Sequence, residues 1–391
     1  MTIFKALHTI FASCFRSCRA AGMAAATVAA LTFAAGVHAL PVTHYAADSR
    51  LASGQWVKIS VTDDGMHVIP EQTLRSCGFR DYEKVKVYGY GGRRLPEVMD
   101  ASTYIDDLPQ TPSVYVAGRG IIFYAEGVQT AETSTGQWKR PAINPFSTVG
   151  YYFLSDSGEE PRLAPATTGR PGVTPAPDTR NPGNDDVARG YWHGVWHKSE
   201  LVSPGQCGHL LVGEDFRYTP KRDFRLDMPG MMADTVAYLE TSFMANGTQA
   251  TTVSYSVNGT ALEAISSDRL YGNTDEHTHG TESLSRRELR DLSKEQLTVG
   301  VSYSSGSTVT MANLNYIAVN YLRALDAKAL AGKPFTLDSD RRKVMLAGAD
   351  AETVVWDVTD PPASTPPSLP APSAGLPTIT PRAPTPPGLR R

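Results

Sequence analysis

The residues able to do covalent chemistry are few. A nucleophilic thiol needs a neighbouring base and a setting that lowers its pKa. Cys77 follows Ser76 in a short predicted helix, and Cys207 stands in the turn Pro204-Gly205-Gln206-Cys207-Gly208. No catalytic signature flanks either one, and His209 is only a base close in sequence. Both read as structural cysteines. A Cys77–Cys207 disulfide is an expectation that an oxidising compartment would permit. His193 and His197 would share one face of a helix and could hold zinc there, yet the zinc-peptidase pattern places glutamate directly after its first histidine, and here Gly194 follows. On a strand the two rings would stand about 13 Å apart, too far to share one ion. His277 and His279 read as a polar loop. Gly89, Gly91 and Gly92 lack the lysine and hydroxyl residue of a phosphate loop and read as a turn. No metal or cofactor is expected. Tyr191, Trp192 and Trp196 are the candidate surface-binding aromatics, able to stack on a sugar. The competing reading, preferred because large aromatics are mostly buried, makes them packing between layers.

The elements that would position these residues are mainly β, as two β-sheet or β-sandwich units of jelly-roll-like character with one or two short helices. Gln55-Trp56-Val57-Lys58-Ile59-Ser60-Val61 alternates apolar and polar residues, and Thr62-Asp63-Asp64-Gly65 turns it back into Met66–Ile69. Pro70 to Leu74 opens a short helix that ends near Gly78. Further strands are expected at Val85–Tyr88, Gly120–Tyr124 and Gly150–Leu154, closing an N-terminal β-rich domain over 40–156. Residues 157–187, with six prolines among small polar residues, read as a linker or long loop. A β-sandwich domain is expected over 188–360, with strands at Leu210–Gly213, Phe224–Met228, Thr235–Phe243, Thr252–Asn258, Gln296–Tyr303 and Thr308–Leu322. Asn258-Gly259 marks a hairpin. Ser285–Lys294 reads as a helix or charged loop, and Lys343–Ala347 with Thr353–Val358 as a last strand pair.

Composition fits a folded, exported chain. Of 391 residues, 41% are hydrophobic and 20% charged, enough for one large or two ordinary domains. Residues 1–39 carry Lys5, Arg16 and Arg19 and no acid, then an Ala-rich apolar run ending in Val37-His38-Ala39. That is a signal-peptide layout, too short to span a membrane, so no transmembrane segment is expected after cleavage. Without it, 34 basic residues face 40 acidic ones, a net charge of about −6. Nothing there suits a nucleic-acid binder. Residues 361–391 hold 11 prolines and no acid or aromatic residue, and read as a disordered tail.

Several ordered blocks resemble one family. Ser53–Val61 with Gly65, Val85-Lys86-Val87-Tyr88-Gly89-Tyr90-Gly91-Gly92 with Leu95-Pro96-Glu97, Ile122–Gly127, Asn313–Ile317 with Asn320-Tyr321, and Val355–Pro361 are similar, in order, to the N-terminal region of the type IX secretion sortases of the PorU family. In that family the β-rich region precedes a gingipain-type cysteine peptidase domain that removes C-terminal sorting domains and attaches cargo to the cell surface. The match ends after Asp360-Pro361, and Cys77 and Cys207 both lie upstream of the family's nucleophile. The resemblance therefore implies no catalytic residue in this chain. It implies an exported scaffold or docking module at the periplasm, outer membrane or cell surface, with secretion-system outer-membrane proteins or cargo as partners. Two other expectations stand beside it: a truncated or frameshifted fragment of such a peptidase, suggested by the composition switch at 361, and a carbohydrate-binding sandwich.

Overall fold

The computed structural model describes residues 48–94, 107–135, 138–167, 187–204, 209–247, 249–267, 280–292, 294–306, 309–337 and 343–358. The leader, Cys207, His277, His279 and the proline-rich tail lie outside them. The chain divides into two units. The smaller comprises Met1–Ala52 and Leu95–Asp107, of which the described part is a 3-10 turn, Arg50–Ala52, with the Arg50 N–H 2.5 Å from the Asp107 carboxylate. Everything else belongs to the larger unit, which is mainly β.

In the larger unit, β1 (Val57–Val61) and β2 (Gly65–Ile69) lead into the one short α-helix of the described residues, α1 (Glu71–Ser76). Next come β3 (Lys86–Gly91), β4 (Gln110–Thr111), β5 (Ser113–Val116), β6 (Gly120–Ala125), the hairpin β7 (Gln129–Thr135) and β8 (Trp138–Ile143), and β9 (Gly150–Ser155). They form one sheet in the order β1-β9-β3-β4 and another in the order β2-β6-β5. The alternation in β1 and β9 turns Val61, Tyr152 and Leu154 inward with Val87. There they meet Ile121, Phe123 and Ala125 of β6 and Leu74 of α1, in a core held by apolar burial. The turns at the rim approach very closely. A Cβ on Gly127 would lie 2.4 Å from the Thr62 carbonyl oxygen, and one on Gly92 would lie 2.2 Å from that of Gly127, so glycine is dictated by backbone contact.

The remaining strands are β10 (Ala166–Thr167), β11 (Val187–Ala188), β12 (Gly190–His197), β13 (Lys221–Asp227), β14 (Ala237–Ala245), β15 (Thr251–Val257), β16 (Thr260–Ala261), β17 (Ile265–Ser267), β18 (Thr281–Leu289), β19 (Gln296–Ser305), β20 (Ala312–Ala324), β21 (Lys343–Val344) and β22 (Trp356–Asp357). Two antiparallel sheets, β12-β20-β14-β18 and β13-β19-β15-β16, face each other, with β17 also pairing β15. Leu239, Phe243, Ile317, Val319 and Tyr321 of the first sheet pack on Leu226, Val253, Tyr255, Leu297, Val299 and Val301 of the second, a β-sandwich core. Asn258 and Gly259 take positive φ of 50° and 85°, as the tight β15–β16 turn requires.

Four expectations change. Leu210–Gly213 is not a strand: there only Val212 pairs, in an isolated bridge to Val202. The expected 157–187 linker begins as a fixed strap. The Lys86 ammonium, almost wholly buried, donates to the carbonyls of Ser157 (3.2 Å), Gly158 (2.9 Å) and Glu160 (3.0 Å), and the Arg162 guanidinium donates to those of Tyr82 and Glu83. Proline-rich composition lowers intrinsic order, but a buried cation that needs acceptors supplies it from outside the segment. The first half of Ser285–Lys294 is neither helix nor loop: it ends β18, an edge strand whose Ser283, Ser285 and Leu289 are buried while Glu282, Leu284 and Glu288 are exposed. Glu282 and Glu288 lie on the exposed side of a period of two. Finally, β21 and β22 are not partners. β21 runs parallel to β11, and β22 pairs antiparallel with β10.

Lys86→Met leaves three carbonyls without their charged donor, and is expected to cost about 2 to 3 kcal/mol of stability. Urea denaturation checks the loss, and limited proteolysis should show new cleavage within 157–167.

Candidate interaction face and the buried histidine–arginine pair

Register decides which side chains of the β12-β20-β14-β18 sheet face away from the sandwich core. In β14 the inward set is Leu239, Thr241 and Phe243, so Tyr238, Glu240 and Ser242 point outward. Beside them, on that outer face, stand Arg286 opposite Glu240 on β18, Ala318 and Asn320 on β20, and Trp192, Gly194 and Trp196 on β12. An outer face is ordinarily wet. Here Glu240 and Asn320 have no exposed surface, and β20 is buried almost throughout.

The β7–β8 hairpin is what covers it. Trp138 sets its ring 5.0 Å from Tyr238, which in turn lies 5.2 Å from Trp192, while the Arg286 guanidinium sits 5.4 Å from the Trp138 ring. Lys139 accepts from the Asn320 amide at 3.0 Å through its carbonyl and donates to the Trp192 carbonyl at 2.9 Å through its ammonium. A Cβ on Gly194 would stand 3.5 Å from that of Lys139, ordinary contact distance, so the hairpin lies directly on β12. Beneath it the Glu240 carboxylate is met by Arg286 Nε at 2.6 Å and by the Tyr316 hydroxyl at 2.7 Å. Burial, then the Glu240 carboxylate, push the Tyr316 pKa up, which keeps it a donor. A second chain crosses the same face: Lys198 donates to Asn315, Asn315 to Ser242, and Ser242 to Glu282.

The sequence-selected residues are distributed unevenly over this arrangement. Tyr191 is 4% exposed, in a satellite cluster with Leu325, Leu330 and Val344, and so offers no ring to an outside ligand. Trp192 and Trp196 are half-buried, and the Trp192 ring is already packed on Tyr238. His193 and His197 lie on a strand and point to the core side, where they part company. His197 contacts Glu214 at 2.9 Å and packs on Phe224, whereas His193 lies between the rings of Tyr191 and Tyr321, 3.4 Å from an Arg323 nitrogen. Burial, then the positive charges of Arg323, Lys139 and Lys333, push the His193 pKa down to about 4. Cys77, a free thiol, caps α1 and packs against the first core, and its expected partner Cys207 lies outside the described residues. Among the described residues no group of three or more metal-binding side chains converges. Sequence reasoning missed the hairpin and the Glu240 row. The available signal was Glu240 alternating with Tyr238 and Ser242 in an otherwise core-forming strand.

No family model matches the chain, and no curated protein does. Among solved structures, the dimeric latent PorU from Porphyromonas gingivalis is 27% identical, with a TM-score of 0.59, over 71% of this chain and 25% of that one. The fold is PorU-like. The chain thus spans a quarter of the length of the PorU structure it matches. A β-porphyranase of glycoside hydrolase family 86 from Bacteroides plebeius (10% identity, 69% of this chain, 35% of that chain, TM-score 0.20) and an uncharacterized protein from Listeria monocytogenes (10%, 66%, 22%, 0.24) share too little geometry to bear on function.

Two outcomes follow from this geometry. Arg286→Met strips the buried Glu240 of its cation and is expected to cost about 2 kcal/mol, falling to less than half of that in a Glu240→Gln background. A double-mutant cycle in urea measures the coupling. His193 is neutral when folded and takes up a proton below its ordinary pKa of 6.5 when unfolded. Its stabilising contribution is therefore complete above pH 6.5 and is lost as pH falls towards 4. We expect about 2 kcal/mol of pH dependence across that window, absent in His193→Gln.

Proposed function

We infer that this chain is an exported, non-catalytic β-rich module that serves as scaffold and docking region in type IX secretion and surface attachment of cargo, as the corresponding part of a PorU sortase would. The observation that carries the reading is the PorU likeness, 27% identity at a TM-score of 0.59 over 71% of this chain. The periplasm, outer membrane or cell surface is its proposed place, and outer-membrane secretion proteins or cargo are its proposed partners. Among the described residues no helix is long and apolar enough to cross a membrane.

A docking role also suits the surface. Phe146 is 75% exposed and meets the His209 ring beside exposed Leu210, while Leu201, 68% exposed, and Val202 belong to the segment that bridges back to Val212 on the same loop. These exposed apolar residues are the ones a docking surface would use. The Cys77 sulfur, by contrast, packs against the apolar core of the first sheet pair, a setting that suits a structural thiol.

The test uses the purified chain and a cargo protein bearing a C-terminal sorting domain. Binding without cleavage is expected, weakened at least about tenfold by Phe146→Asp with Leu201→Asp, since losses of that size follow from removing two interface anchors. Cleavage or transfer of the cargo that disappears in Cys77→Ala or Cys207→Ala would show a peptidase instead.

A further inference from the structure

Arg323 is 4% exposed, near the end of β20 beside Tyr191. A guanidinium cannot shed its proton, so burial leaves it charged, and a buried charge without a counter-ion costs several kcal/mol. Its contacts are long and neutral: Nη1 lies 3.4 Å from His193 Nε2 and Nη2 lies 3.5 Å from the Ala329 carbonyl, while the Tyr191 hydroxyl is in reach and Nε has no partner. Among the described residues Arg323 makes no ion pair.

Two carboxylates nearby bond backbone N–H groups and make no ion pair with the guanidinium. Glu295 accepts the Gly230 N–H at 2.8 Å, and Asp326 accepts the Ala329 N–H at 2.8 Å. These two bonds hold the backbone segments that flank Arg323, since a Cβ on Gly230 would lie 3.5 Å from Arg323 Nε. Further positive charge comes from Lys139 and Lys333, which bear on His193 together with Arg323. The turn at 327–332 lies against the group through the Ala329 carbonyl, and its Lys328 and Ala329 and the following Lys333 are exposed, so the group stands one layer beneath the surface. A fixed cation, a phenol and an imidazole thus meet with no anion in ion-pair contact with the guanidinium among the described residues.

We propose that Arg323, with Tyr191 and His193, forms a binding site for one oxyanion of the carboxylate, sulfate or phosphate class. The planar fork of the guanidinium matches two oxygens of such a group. The Tyr191 hydroxyl supplies another donor, and His193 becomes one when an arriving negative charge favours its protonation.

The native chain decides the matter first. Equilibrium dialysis against labelled sulfate at constant ionic strength is expected to show about one ion bound per chain, because one guanidinium offers one fork. The His193 titration, followed by NMR, is expected to move upward with sulfate. Arg323→Met should lose at least about tenfold in affinity and Tyr191→Phe less, while Arg225→Met, on the exposed β13, should match the native chain. Peptides with free and amidated C-termini separate the sources. Competition by the free acid assigns a chain carboxylate, and competition by inorganic ions alone assigns a free anion. If the native chain binds no sulfate, acetate or phosphate, or if folded Arg323→Met binds them equally well, the proposal is overturned.

Discussion

A carboxylate with no contact with water sits in the middle of β14, and much of the larger unit is arranged around keeping it satisfied. Glu240 takes Arg286 from the neighbouring edge strand and Tyr316 from the central one, so three strands of the sheet are tied by charge-assisted bonds. Those bonds are strong only while water is kept out, which the β7–β8 hairpin does by laying Trp138 and the Lys139 backbone over the face. The hairpin leaves the chain between strands of the first sheet pair. Burial of one acid in the second pair therefore fastens the two pairs together.

This seam differs in kind from either core. Inside each pair, burial is apolar and indifferent to exact direction. Across the seam, each contact names its partner: Asn320 to the Lys139 carbonyl, the Lys139 ammonium to the Trp192 carbonyl, and the Met66 N–H to the Gly332 carbonyl. Directional polar contacts of this kind add less net stability than apolar burial but tolerate few alternative arrangements. The aromatic residues that looked available to a sugar are drawn into the same seam. Trp192 is held through Tyr238 to Trp138, and Tyr191 is enclosed by the satellite cluster. The apolar residues left outside lie elsewhere, around Phe146 and Leu201.

The blocks that resembled the family from sequence fall within this architecture. Ser53–Val61 and Val85–Gly92 supply β1 and β3 of the first sheet pair, and Asn313–Ile317 with Asn320-Tyr321 lies in β20, the strand that meets both the sandwich core and the hairpin. Of these blocks, β3 and β20 are inner strands of their sheets and β1 is an edge strand. They specify the β framework of the larger unit.

Local pattern was enough for the strands whose two faces differ. β1, β13, β15 and β19 alternate because one face meets a core and the other meets solvent or a weaker contact, and the Asn258-Gly259 turn follows from the left-handed backbone those residues tolerate. Proline at the start of α1 and the mainly β class were legible for the same reason: each depends on neighbours within a few residues. Partners far along the chain left no such mark. The anchoring of 157–160 by Lys86, the separation of β21 from β22, the descent of Trp138 onto Tyr238 and the isolation of Arg323 beside His193 each join residues dozens to hundreds of positions apart. A sequence states which groups need burial or a counter-charge, but only the closed chain decides which groups meet, because the cost of leaving a buried charge or carbonyl unpaired is settled by whatever segment packs against it.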